Sequence, residues 1–167
     1  MFRNRNLILC CLVLLCAGAN ALPTDQTQKM QITADETLLN YKNGIHHYRG
    51  NIHIDQGSTH LTADTLTTQN NKNHKMELAI AYGNPTTPAH YWTSPKAGDE
   101  LFHAYADVIH FYPQKSLVEL TGHVIVSQGK NSFHGNKLIY NIKEQTVLAP
   151  INTQGQSTII IDPRASS

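Results

Sequence analysis

Outside its first 21 residues the chain contains no cysteine, because Cys10, Cys11 and Cys16 are all it has. For the 146 residues that follow, this excludes a disulfide, a thiolate nucleophile and a cysteine metal site. Charge is scarce too, at 15% of residues. Beyond residue 21 there are 11 basic and 12 acidic side chains and no basic run longer than a pair, so nucleic acid is not an expected partner. No apolar run is long enough to cross a bilayer. No G-x-S-x-G elbow, glycine-rich phosphate loop or H-E-x-x-H pair is present, and no catalytic residue, metal site or cofactor is assigned. Nor does any segment keep an amphipathic helical period for three turns.

What is present at the start is a secretion pattern. Arg3 and Arg5 precede an apolar run from Leu7 to Leu15, and Ala19-Asn20-Ala21 has the small-x-small form of a cleavage site. Residues 1–21 therefore read as a signal peptide removed after Ala21. The bulky Leu15 in front of Cys16 argues against lipidation. Residues 22–162 are expected to form one domain, with residues 163–167 a frayed polar tail.

Glu and Lys are scarce beside the many Thr, Ile, Val and Tyr, which favours strand over helix, and alternation dominates the chain. "GNIHIDQG" puts Ile52 and Ile54 on one face, and "GHVIVSQG" does the same for Val124 and Val126. "MELAIAYGNP" alternates Leu78, Ile80 and Tyr82, and "TIIID" reads as a last strand. Each run is short and stops at Gly, Asn or Pro, the punctuation of an all-β chain. Gly83 to His103, rich in proline, is expected to be a long loop or a ragged hairpin.

The segment "YRGNIHIDQGSTHLTADTL" (Tyr48 to Leu66) returns 72 residues later as "LTGHVIVSQGKNSFHGNKL" with no gap. Ala34-Asp35 likewise matches Ala106-Asp107, and a half-period of 29 residues links each pair to Ala63-Asp64 or Gly135-Asn136. Such a pattern predicts stacked hairpin units that bury an apolar face only against one another. Gly50, Gly57 and Ala63-Asp64 are expected to turn the chain between strands, the Asp side chain bonding local backbone. The recurrent Asp35, Asp64 and Asp107 thus read as corners, although periodic carboxylates also occur in β-solenoid carbohydrate-active enzymes. The ten histidines read as solvated residues of polar faces, and His46-His47, being adjacent, must point to opposite sides of a strand. The apolar face is either a packed core or, in a partly open stack, a binding groove.

Taken together, "ITADETLLNYKNGIHHYRGNIHIDQGSTHLTAD", "YGNP" and "AYADVIHFYPQKSLVELTGHVIVSQGKNSFHGNKLIYNIKEQ" closely resemble the OstA-like family of LptA-type periplasmic lipopolysaccharide-transport proteins, from about Met30 to Ile161. The resemblance implies a partly open, twisted β-jelly roll (a β-taco) of about sixteen short antiparallel strands. It implies a non-enzymatic carrier in the periplasm of a Gram-negative cell, shielding lipid A acyl chains in an apolar interior and serving outer-membrane assembly. It implies partners as well: an LptC-like inner-membrane protein, the LptD–LptE outer-membrane translocon, and further copies joined end to end. An LptC-like protein or a translocon domain would share the fold. The family's lipid-contacting positions fall on Met30, Ile32, Ile109 and Phe111, and two more fall on Asn70 and Pro88, which suit lipid poorly. Strand parity adds Ile52, Ile54, Leu66, Val118, Leu120, Val124, Val126 and Leu138 as inward-facing.

Overall fold

The computed structural model describes residues 28–94, 98, 100–141, 144, 146–150 and 155–162; the expected signal peptide and tail lie outside them. Among the described residues there are twelve strands and a single 3-10 turn (Pro113–Lys115). The strands are β1 (Gln31–Thr33), β2 (Glu36–Asn40), β3 (Ile45–Gln56), β4 (Thr59–Asn70), β5 (Met76–Tyr82) and β6 (Ala89–Thr93). They continue with β7 (Phe102–Ala106), β8 (Val108–Tyr112), β9 (Leu117–Gln128), β10 (Asn131–Asn141), β11 (Thr146–Leu148) and β12 (Thr158–Ile160).

All pairings are antiparallel, and four long strands organise them. Residues 65–70 of β4 pair with β5, while its residues 59–62 pair with β6 along the same edge. β9 divides in the same way, residues 117–121 pairing with β8 and 125–128 with β7. The sheet thereby splits into two leaves. One runs β2-β3-β4-β5-β8-β9-β10-β11, and the other β1-β3-β4-β6-β7-β9-β10-β12. Because β3, β4, β9 and β10 belong to both, the twelve strands supply sixteen strand segments, as the jelly-roll resemblance implies. Inward side chains of both leaves join one apolar cluster, including Ile52 and Val124 from one leaf and Leu66, Ile109, Leu120 and Leu138 from the other.

The long strands correct one expectation. Gly57, with φ of 61°, does reverse the chain between β3 and β4. Gly50 and Ala63-Asp64 do not: they lie inside β3 and β4, at a bulge where Arg49 pairs with Thr65 and Ile52 with Ala63. Here the extra residue bends the strand from one leaf into the other. The same bulge recurs at Gly122-His123 opposite Gly135-Asn136. Its backbone is distinctive, since Gly50 (φ 74°) and Asn51 (φ 47°) are both left-handed, as are Gly122 (φ 78°) and His123 (φ 45°).

The aspartates clamp these bends. The Asp35 N–H donates to the Gly50 carbonyl at 3.0 Å, and the Asp107 N–H to the Gly122 carbonyl at 2.9 Å. Asn51 Nδ2 donates to Asp35 Oδ2 at 2.8 Å, and His123 Nδ1 lies 2.9 Å from Asp107 Oδ2. Any Cβ on Gly122 would overlap the Asp107 carboxylate, so the bend requires glycine both for its φ and for this close approach. Asp35 and Asp107 are therefore true corners, between β1 and β2 and between β7 and β8, whereas Asp64 meets Asn84 Nδ2 at 3.4 Å across the bend.

The 72-residue offset is visible in the registers. Ile32 opposes Ile54 as Ala104 opposes Val126, and Glu36 opposes Arg49 as Val108 opposes Thr121. Gly83 to His103, where it is described, resolves as a hairpin, because β6 pairs with β7. β5 departs from expectation. Its inward residues are Ala79 and Ala81, while Leu78 and Ile80 face outward half-buried and Tyr82 is exposed. Ala63, Ala89, Ala104 and Ala106 also face the apolar cluster from β4, β6 and β7, so small residues line this part of the interior.

Candidate functional site

Along the line of bends, the inward side chains form a closed spine. Leu66, Ala81, Ile109, Leu120 and Leu138 on one leaf meet Ile52, Ala89, Ala106 and Val124 on the other, and all are buried. Covering each larger aliphatic chain contributes about 1.5–3 kcal/mol, so this row holds the leaves together. One inward position further out on each leaf lies a second row of inward side chains, the two jaws. One jaw carries His46, Thr68, Ala79, Phe111, Val118 and Tyr140, and the other Ile54, Leu61, Tyr91, Ala104, Val126 and Phe133. Phe111, Val118, Tyr140, Ile54, Leu61, Tyr91 and Val126 are only half-buried. Apolar surface left half-covered on both sides of a cleft is what an apolar ligand can complete.

The residues singled out from the sequence fall into three groups. Ile52, Leu66, Ile109, Leu120, Val124 and Leu138 are spine residues, at most 5% exposed. Ile32, Ile54, Val118 and Val126 pack against the spine from the jaws, and half-buried Phe111 opposes Ala79 and Val118. Met30 is exposed at 41% and precedes β1 rather than lying in it. Asn70 sits on the jaw beside His46, and Pro88 is exposed in the turn before β6.

Sequence reasoning missed part of the lining. Leu61 and Phe133 are matched partners in the repeat and both face inward, as extending the alternation by one position would have shown. It also misplaced three histidines. His46 is buried at 8% exposure, and His110 Nδ1 is buried without a partner among the described residues. His90 lies in a stack on the outer face, its ring 4.0 Å from that of Tyr105 and 4.6 Å from that of Trp92. Its Nε2 is 3.0 Å from His103 Nδ1, and burial together with His103 lowers its pKa to about 4, so it is neutral at neutral pH. His53, His123 and His134 are exposed, as expected of polar-face residues. Among the described residues no three His, Asp or Glu side chains converge on a point that would hold a metal ion. Asp35 and Asp64 lie at the bend of the first repeat and Asp107 at that of the second, and their carboxylates are engaged by Asn51, Asn84 and His123 respectively.

Comparison with known proteins agrees with this geometry. The family model described as "LptA/(LptD N-terminal domain) LPS transport protein" matches residues 31–146. The chain is 34% identical over 140 residues to the lipopolysaccharide export system protein LptH of Pseudomonas aeruginosa, covering 84% of this chain and 78% of that protein. It is 26% identical over 162 residues to LptA of Haemophilus influenzae, covering 96% and 92%. The crystal structure of the Pseudomonas LptH, the LptA-homologous periplasmic component of the conserved lipopolysaccharide transport device, is similar with a TM-score of 0.74. That likeness has 30% sequence identity and covers 84% of this chain and all of that one.

Proposed function

This chain belongs to the LptA/(LptD N-terminal domain) family of LPS transport proteins, and on that footing we propose that it is a periplasmic carrier holding the acyl chains of lipopolysaccharide between its two leaves. It is a transport protein and not an enzyme, like the relatives it matches. The observation that supports acyl-chain binding most is the row of half-buried apolar side chains, Ile54, Leu61, Tyr91 and Val126 on one jaw and Phe111, Val118 and Tyr140 on the other. A lipid with several chains suits such a trough, since each methylene covered contributes about 0.8 kcal/mol and no single anchor is required. Extraction of protein recovered from the periplasm should yield lipid A by mass spectrometry; recovery of the protein with phospholipid alone would contradict the proposal.

The same reading includes assembly into a bridge, and the fold offers a template for the joint. Inside the chain, the two repeats join where β5 pairs with β8 and β6 with β7. By their pairing, β11 and β12 occupy in the second repeat the places of β5 and β6, while β2 and β1 occupy in the first those of β8 and β7. These end strands expose large apolar side chains, among them Leu38, Leu39, Val147, Leu148, Ile159 and Ile160. Open strand edges of this kind are suited to β-augmentation by a neighbour. Copied from the internal joint, the register sets Val147 against Leu39 and Ile159 against Ile32 of the next copy. It also keeps the trough continuous from copy to copy. At the termini of such a stack, the same edges would meet an LptC-like protein on one side and the LptD–LptE translocon on the other.

A further inference from the structure

The two repeats differ at one place on the trough wall. In the first repeat the jaw holds His46 and Thr68, directly opposite each other across β3 and β4. Seventy-two residues on, the same two positions are Val118 and Tyr140, again directly opposed. The facing jaw is apolar in both repeats, with Ile54 and Leu61 matched by Val126 and Phe133.

His46 is 8% exposed, and its Nδ1 is buried without a hydrogen-bond partner among the described residues. Its Nε2 lies 3.4 Å from Asn70 Nδ2, which can only donate, so Nε2 accepts and the ring proton stands on Nδ1. Nδ1 is thus a donor on the inward side of the strand. Thr68, 2% exposed, stands opposite it, and the exposed Tyr41 ring lies edge-on to the imidazole at 5.6 Å. Leaving a buried donor unmade is costly, and an apolar residue at this position would avoid that cost, as Val118 does in the second repeat. The arginine on the same strand, Arg49, is exposed and lies 3.8 Å from Glu36.

We infer that His46, with Thr68 beside it, is a hydrogen-bonding station in the trough for a neutral acceptor oxygen at the root of an acyl chain: an ester or amide carbonyl, or a hydroxyl. This rests on the acyl-chain reading above and deepens it by giving the ligand a direction. The polar roots lie at the first repeat, and the chains run toward Phe111, Val118 and Tyr140 in the second.

The test compares two probes, hexa-acylated lipid A and the apolar dye N-phenyl-1-naphthylamine, which has no acceptor oxygen. His46→Val should weaken lipid A binding about 3- to 10-fold and leave dye binding within about twofold. His46→Gln, which keeps a donor, should recover most of the lipid A affinity. Unchanged lipid A affinity in His46→Val would overturn the station and leave the trough standing, as would an equal loss for both probes. A wild-type protein that binds the dye but no lipid A would overturn the acyl-chain reading itself.

Discussion

A protein carrying Phe111→Asp and Val126→Asp is expected to fold and to capture lipopolysaccharide no longer. The two side chains stand on opposite jaws of the second repeat, Phe111 opposite Val118 and Val126 opposite Phe133. Each is half-buried in the free protein, so a carboxylate there keeps part of its hydration and costs about 1–2 kcal/mol of stability. An acyl chain laid in the cleft would strip that hydration with no cation to replace it, a penalty of several kcal/mol for each unpaired charge. Affinity should therefore fall about 100-fold or more. The control is the pair one residue along each strand, His110→Asp and Ile125→Asp, which face outward. That pair should bind lipopolysaccharide within about threefold of the unaltered protein. Equal losses in both pairs, at matched thermal stability, would mean that the cleft is not the binding surface.

Cysteines at positions 39 and 147, from Leu39→Cys and Val147→Cys, should link copies of the chain into a covalent ladder. Beyond residue 21 the sequence has no cysteine of its own, so a chain beginning at Leu22 carries only the two introduced. Within the chain, Ala79 of β5 opposes Phe111 of β8. Val147 holds the place of Ala79, since it opposes Tyr140 as Ala79 opposes Thr68. Leu39 holds the place of Phe111, since it opposes His46 as Phe111 opposes Val118. Directly opposed strand residues lie about 4.5–5.5 Å apart at Cα, within disulfide reach. A pair shifted by one, Leu38→Cys with Val147→Cys, puts its side chains on opposite faces and should link at least about tenfold less. A ladder from the shifted pair and none from the matched one would show that the joint between copies does not follow the joint between repeats.

How much of this was legible in the sequence depended on what each residue had to satisfy. Ile52, Ile54, Val124 and Val126 were readable because a half-buried strand leaves a period of two, and the structure puts them all inward. The 72-residue echo was readable because both halves repeat the same bend, and the bend needs the same Gly followed by a second left-handed residue. What that glycine does was not readable: alternation either side of a Gly looks alike whether the strand ends there or bends into a second leaf. For the same reason Ala63-Asp64 reads as a turn and proves to be mid-strand. β5 misleads in another way, since its large residues face out and its alanines face in, and alternation alone does not say which face of a strand meets the core. His46 was hidden among ten histidines, because only the register with Thr68 puts it on the trough wall.

The account stands or falls on which side of the strands meets lipid. A photo-crosslinking residue placed in turn at Ile54, His53, Val126 and Ile125 tests this with neighbours that differ in little but facing. Lipopolysaccharide adducts at Ile54 and Val126, with His53 and Ile125 silent, are the result expected. Adducts at His53 and Ile125 as strong as those at their inward neighbours would contradict the claim that the ligand lies between the leaves.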